Sequence, residues 1–279
     1  MGTAAYLFSR LEDIKKTLRR KFVRIFLDFD GTLAPIEKTP DKAVMPEETR
    51  GLLRQLAKMP NCKIAIVSGR ALKDISKRIG LEDIVYVGNH GFEIKGPKID
   101  FKIPVSYRYR KTLENIKDRL VEGLSPVNGV IIEDKGFSLS VHYRLADKKD
   151  IARIKNEFHS ILLFYEVHGD VKVKTGKLVL EVMPPVEWDK GKAVLWLLAR
   201  RKFVLRAKKI KVLPVYVGDD ATDEDAFGAL KDRGMTVFVG KSKRTKARFY
   251  VKGPFETAVL LKLILETLSD KDSERRYKK

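Results

Sequence analysis

Arg24-Ile25-Phe26-Leu27-Asp28-Phe29-Asp30-Gly31-Thr32 joins a short apolar run to two carboxylates and a glycine. The run has no polar alternation, so it predicts a strand buried on both faces, as in a parallel sheet covered by helices. Gly31 lets the backbone turn away where that strand ends. Asp28 and Asp30, two residues apart on an extended segment, point the same way. Like charges so placed need a cation between them, a proton, or separate duties as acid and base. A turn with two solvated aspartates is the plainer alternative, and the apolar strand leading into it argues against that.

Four further runs share this character: Lys63–Val67, Ile84–Val87, Val215–Val217 and Thr236–Val239, with helical patterns such as Pro46–Met59 between them. Strands alternating with helices predict an α/β fold with a doubly wound parallel sheet. Between about Phe101 and Pro185 the pattern changes. Gly129–Glu133, Phe137–Tyr143 and Leu178–Met183 read as strands, Asp147–Leu162 as a helix, and Ser138-Leu139-Ser140-Val141-His142 alternates as a sheet with one wet face does. The expected organisation is a core of residues 1–100 and 186–268, an inserted smaller α+β domain of residues 101–185, and a charged, disordered tail of residues 269–279. Leu7, Leu11, Ile14 and Leu18 predict an N-terminal helix over Ala4–Lys21, within residues 1–22.

The chain has 279 residues, 44% hydrophobic and 34% charged, which excludes collagen-like and wholly disordered readings. One cysteine, Cys62, cannot form an internal disulfide, and no Cys/His cluster has zinc-ligand spacing, so a reducing compartment is expected. Neither a bilayer-spanning run nor a secretory signal is readable, so a cytoplasmic protein without a membrane partner is expected. The net charge is +20. Lys and Arg are spread along the chain with concentrations at Arg19-Arg20-Lys21, Arg200-Arg201-Lys202, Lys208-Lys209 and Lys243-Arg244, none interleaved with aromatics as a base-stacking groove requires. With Gln55 the only glutamine, a heat-adapted surface is the foremost reading, anion steering the second and nucleic-acid binding the last.

The remaining chemistry-bearing features also follow core strands, the edge where open α/β sheets bind ligands. Ser68-Gly69-Arg70 offers a hydroxyl and a flexible backbone at a helix start, suited to a phosphate oxygen. Gly218-Asp219-Asp220-Ala221-Thr222-Asp223-Glu224-Asp225 carries five acids in seven residues, an oxygen-rich set of the kind Mg²⁺ requires. Lys190, in the first turn of the helix opened by Asp189-Lys190-Gly191-Lys192, opposes the helix dipole, which an anionic partner would explain.

In this order, Asp28-Phe29-Asp30-Gly31-Thr32, Ser68, Lys190 and Gly218-Asp219-Asp220 resemble the four signatures of the haloacid dehalogenase-like phosphatases. The resemblance implies an aspartyl-phosphate mechanism. Asp28 would attack phosphorus, Asp30 would protonate the leaving alkoxide and then activate water, and Ser68 with Lys190 would hold phosphoryl oxygens. Mg²⁺ would be held by Asp28, the backbone carbonyl of Asp30 and Asp219, with Asp220 or Asp223 completing the set. Gly69 and Arg70 would serve the phosphate beside Ser68.

Within that superfamily, Gly88-Asn89-His90-Gly91-Phe92-Glu93, Glu133-Asp134-Lys135-Gly136, His142-Tyr143-Arg144, Leu180-Glu181-Val182-Met183-Pro184 and the acidic stretch extended through Ala226-Phe227 resemble the trehalose-6-phosphate phosphatase branch. This implies that the insert is a cap over the core, that Asn89, His90, Lys135, Arg144 and Glu181 contact sugar hydroxyls or shape the cleft, and that the substrate is trehalose 6-phosphate. Met183 departs from the branch, which often has a basic residue there. Only residues 1–23 precede the first core strand, so no fused glycosyltransferase domain is expected. Phosphatases of sucrose phosphate or glucosyl-glycerol phosphate are the alternatives within the class, and a catalytically silent binding protein the alternative outside it. The oligomeric state is left open, a monomer being compatible.

Overall fold

In the computed structural model, residues 4–207, 211–241 and 244–270 are described, without the side chains of 201–210. They divide into two compact units. Of the described residues, the first holds those within 4–37, 43–101 and 188–270; the second holds Lys38–Lys42 and Lys102–Glu187.

Along the chain, the first unit carries β1 (Ala5–Tyr6), α1 (Leu11–Leu18), β2 (Phe22–Leu27), α2 (Glu47–Lys58), β3 (Cys62–Val67), α3 (Leu72–Ile79), β4 (Val85–Gly88), β5 (Glu93–Gly96) and β6 (Ile99–Lys102). The second carries α4 (Tyr107–Leu124), β7 (Ile131–Asp134), β8 (Leu139–His142), α5 (Ile151–Val167), β9 (Lys172–Gly176) and β10 (Val179–Met183). The first unit then resumes with α6 (Lys190–Ala207), β11 (Val212–Gly218), α7 (Asp223–Leu230), β12 (Met235–Val239), β13 (Phe249–Val251) and α8 (Pro254–Ser269).

The large sheet has the order β1-β13-β12-β11-β2-β3-β4-β5-β6, with parallel pairing from β1 to β4. β5 pairs antiparallel with β4. From β2 the chain winds one way through β3 and β4; from β11 it winds the other way through β12 and β13. The strand order therefore reverses between β2 and β11, the crevice where a doubly wound sheet binds ligands. Both faces are covered: Ile25, Leu27, Ile64, Val215 and Val217 pack with α2 and α8 residues such as Leu53, Leu56 and Leu260. Phe26, Ala65 and Tyr216 pack with Val194 and Leu197 of α6 and Phe227 of α7. This is why β2 is buried at every position and shows no period of two.

The second unit is a four-stranded antiparallel sheet, β7-β8-β10-β9. Leu139, Val141, Leu180 and Val182 on one face pack with Leu113, Ile116 and Leu120 of α4 and Ile154, Phe158 and Leu162 of α5. The alternation of residues 138–142 has this cause, but its polar face is not the wet one expected: Ser138 and Ser140 are buried and His142 is half-buried.

The structure corrects three local expectations. Residues Ala5–Tyr6 form an edge strand paired with β13 rather than the start of a helix, and α1 covers only Leu11–Leu18. Tyr6 is held there by its hydroxyl hydrogen bond to Glu256, 2.9 Å. The expected helix at Asp147–Leu162 begins at Ile151 and runs to Val167. α4 was not among the expected elements, although Tyr109, Leu113, Ile116, Leu120 and Leu124 recur at helical spacing and Ser106 caps it through Tyr109 N, 3.0 Å. Ser269, expected to begin the tail, closes α8, while residues 271–279, Lys208, Lys209 and Lys243 lie outside the described residues. No helix among the described residues is long and apolar enough to cross a membrane.

Candidate active site

β2 and β11, neighbours at the reversal point, deliver Asp28 and Asp219 side by side, and the Asp28 N–H extends the ladder to Val217 O at 3.0 Å. Past Asp28 the chain turns tightly. The N–H groups of Leu33 and Ala34 both donate to Phe29 O at 2.9 Å, and Gly31 N donates to Ala34 O at 2.8 Å. Gly31 takes φ +79°, and a Cβ there would lie 2.4 Å from Asp219 Oδ2. The motif's glycine is thus required twice, by the turn and by the carboxylate against it.

Asp28, Asp219 and Asp223, all buried, each offer an oxygen within 4.8 Å of the others. Lys190, the first residue of α6 and buried, donates to Oδ1 of Asp28 and to Oδ1 of Asp223, each at 2.9 Å. The anionic partners that a lysine at this helix start called for are the protein's own carboxylates. Asp223 is further held by the Tyr216 hydroxyl at 2.7 Å and by the backbone N–H groups of Asp219 and Asp220 at 2.9 and 3.0 Å.

Burial, followed by the fields of Asp223, Asp219 and Asp220, pushes the Asp28 carboxyl well above its ordinary value despite Lys190. Burial likewise raises Asp223 to about 7. Lys190 is pulled the other way: burial lowers it, but Asp223 and Asp28 outweigh that and hold it charged. One ammonium therefore faces more buried carboxylates than it can neutralise. An all-oxygen set short of positive charge fits a hard divalent cation such as Mg²⁺.

Asp220 stands outside this triad. Its Oδ1 accepts from Thr222 N and Oγ1 at 2.8 and 2.7 Å and from Asp223 N at 3.2 Å, shaping the entry to α7. Burial opposes its ionisation, but Lys190 and the Thr222 hydrogen bonds prevail and hold it at about 2.

Ser68, at the end of β3, is buried, and its Oγ accepts from Arg70 N at 3.1 Å. Arg70, expected beside the phosphate, is engaged by two acids of the protein itself. Its Nε and Nη2 donate to Oδ2 and Oδ1 of Asp30, both at 2.7 Å, and its Nη1 donates to Asp74 Oδ2 at 2.9 Å. The Asn89-His90 turn is laced to this loop through Asn89 N to Arg70 O, 2.8 Å, and His90 N to Ser68 O, 3.1 Å. The His90 ring packs over Gly69, where a Cβ would come 2.4 Å from Cε1. Asn89 Nδ2 donates to Glu93 Oε2 at 2.7 Å, so the two ends of this turn are tied.

In the second unit, the register places Glu133, Ser140, Glu181 and Lys174 in one row across the sheet, on the face opposite the apolar one. Glu181, buried, accepts from Lys135 Nζ at 3.1 Å and Ser140 Oγ at 3.0 Å. His142 on the same face pairs with Glu133 at 2.9 Å. Arg144, beyond the end of β8, donates to Lys177 O at 2.9 Å in the β9–β10 turn. Lys135 and Glu181 are thus brought together, while Arg144 is engaged elsewhere.

A family model described as Trehalose-phosphatase matches residues 26–254, from β2 to the start of α8. The chain belongs to this family. A protein of Oryza sativa subsp. japonica, "Probable trehalose-phosphate phosphatase 4", is 36% identical over 264 residues, covering 92% of this chain and 70% of that protein. The solved structure of the C. albicans trehalose-6-phosphate phosphatase C-terminal domain is 25% identical with a TM-score of 0.77, covering 95% of this chain and 98% of that one. A "trehalose-6-phosphate phosphatase related protein" is 28% identical with a TM-score of 0.67 over 87% of this chain and 97% of that one.

Three functional neighbours in this trehalose-phosphatase family chain escape a reading of its sequence. Tyr216 looks like one more bulky residue of an apolar strand. Asp74 looks like an ordinary first-turn acid of α3, and Ser140 like a solvated strand position. For Tyr216 the available signal was a hydroxyl two residues before the Gly218 turn, on a strand buried on both faces, where it must find a partner.

Proposed function

We propose that this chain is a Mg²⁺-dependent phosphatase that hydrolyses trehalose 6-phosphate to trehalose and phosphate. The observation that carries the reading is the buried triad of Asp28, Asp219 and Asp223 around Lys190 at the sheet's reversal point, in a chain of the trehalose-phosphatase family. Asp28, Asp219 and Asp223 would hold the Mg²⁺, with the Asp30 carbonyl, and the ion supplies the positive charge that lets a carboxylate meet a phosphate dianion.

A carboxylate oxygen of Asp28 attacks phosphorus, and the bond from phosphorus to the sugar's O6 breaks as Asp30 gives that oxygen a proton. Asp30, now ionised, takes a proton from water as the water attacks phosphorus, and Asp28 leaves as the free carboxylate. Lys190 orients Asp28 and, with Ser68, stabilises charge on the transferring group. Asn89 and His90 shape the core side of the site. Sugar recognition is assigned to the polar face carrying Glu181 and Lys135, with Arg144 beside it. The sugar phosphate is the partner, and the cytoplasm the expected compartment.

Phosphate release from a panel of phosphorylated sugars, with and without EDTA, tests the reading. Preference for trehalose 6-phosphate and loss of activity on chelation, restored by Mg²⁺, are expected. Preference for another sugar phosphate would overturn the substrate, and full activity in EDTA would overturn the metal.

A further inference from the structure

We propose that Asp74 is a positioning residue for the reaction: braced by Arg78, it fixes the Arg70 guanidinium that holds Asp30. The proposal rests on the reading of Asp30 as proton donor and acceptor. Asp30 needs such a hold, because its side chain is 42% exposed whereas that of Asp28 is 6% exposed. Nothing in the packing around a half-exposed aspartate chooses one orientation of its carboxylate. The two parallel hydrogen bonds from Arg70 Nε and Nη2 do, because the planar guanidinium fork fixes the carboxylate plane as well as its position. Each oxygen keeps a further lone-pair direction for proton transfer.

Arg70 is a long side chain, and it orients Asp30 only if it is itself immobile. Three contacts achieve this. Its guanidinium carbon lies 5.3 Å from the centre of the buried Phe29 ring, between the two motif aspartates. Its backbone N–H is tied to Ser68 Oγ. Its third edge, Nη1, is taken by Asp74 Oδ2 at 2.9 Å. Asp74 sits in the first turn of α3, one helical turn from each of its two arginines. Arg78 Nε grips both its oxygens, at 2.9 and 2.8 Å, and Arg78 Nη1 is anchored on Ala43 O at 3.0 Å. Asp74 is thereby clamped between two guanidinium groups. Burial would raise its carboxyl, but hydrogen bonds from Arg78 and Arg70 outweigh that and keep it lowered and charged, as a brace for Arg70 must be. The chain Ala43–Arg78–Asp74–Arg70–Asp30 runs from the segment before α2 through α3 to the acid–base group, and neither Arg78 nor Asp74 needs to touch substrate.

The test is a double-mutant cycle on the full chain with saturating Mg²⁺, phosphate release being followed under single turnover so that slow rates are measured. Asp74→Asn should lower kcat by about tenfold with KM nearly unchanged, the usual size for a lost supporting contact. Asp74→Glu should recover much of that loss, and Arg70→Lys, which keeps the charge without the fork, should resemble Asp74→Asn. In an Asp30→Asn background, Asp74→Asn should cost nothing further. An equal loss in both backgrounds, or a loss that follows thermal stability alone, would overturn the proposal, as would unchanged kcat in Asp74→Asn. Asp30→Asn with wild-type kcat would instead overturn the reading of Asp30, whatever Asp74 does.

Discussion

Tyr216 and Asp223 are joined beneath the active site: the phenolic hydroxyl donates to Asp223 Oδ1 at 2.7 Å, the oxygen that Lys190 also reaches at 2.9 Å. Both groups are buried, and burial raises both, Tyr216 well above its ordinary value. Asp223 accepts from the side chains of Tyr216 and Lys190 and from two backbone N–H groups, so it is the pivot that sets where α6, β11 and the acidic loop meet. Tyr216→Phe keeps the ring's packing on Phe26 and Phe227 and removes one donor to a buried carboxylate. The expected cost is about 1–3 kcal/mol of unfolding free energy, read from urea titration of the metal-free protein. A variant as stable as the parent would mean that this hydrogen bond is replaced by solvent.

Asp28→Asn should abolish turnover and leave the fold in place. The amide keeps the shape, loses the phosphoryl acceptor, and removes one of the buried like charges that raise one another in the triad. Its melting temperature without metal should equal or exceed that of the parent. Retained phosphatase activity in a pure, Mg²⁺-replete sample would eliminate the covalent step.

Gly31→Ala should fail on two counts at once. The backbone there has φ +79°, and the added carbon would fall 2.4 Å from Asp219 Oδ2. Strain of this kind costs about 1–3 kcal/mol. Displacement of Asp219 should weaken Mg²⁺ binding, measured by calorimetric titration. Unaltered metal affinity would show that the turn relaxes without moving the carboxylate.

Glu181→Ala separates sugar recognition from chemistry. If Glu181 and Lys135 read the disaccharide, kcat/KM for trehalose 6-phosphate should fall about 10–200-fold, one or two polar contacts at about 1.4 kcal/mol per factor of ten. A small aryl phosphate should be nearly unaffected. Because the change also strips an acceptor from the buried Lys135 and from Ser140, the variant's melting temperature must be recorded alongside. Equal losses on both substrates would give Glu181 a structural role, and no loss on either would move the specificity pocket elsewhere.

What the amino-acid sequence determined by itself was the architecture and the ordered set of chemical groups. Apolar runs such as Lys63–Val67, short and without alternation, predict strands covered on both faces, and Asp28, Ser68, Lys190 and Asp219 follow strands or open helices at positions that local punctuation marks. The expected strands Arg24–Phe29 and Val215–Val217 accordingly appear as β2 and β11, adjacent in the sheet.

Which acids lie together was decided only by the tertiary structure. Asp220 and Asp223 are equivalent as members of an acidic run, but the helical turn opening α7 spends Asp220 on its own backbone and folds Asp223 back under Asp219. For Arg70, which follows Ser68, only the fold shows its acidic partners: α3 places Asp74 one turn away and β2 places Asp30 across from it. Partner choice depends on distances between strands far apart in sequence, and local pattern carries periodicity but not those distances.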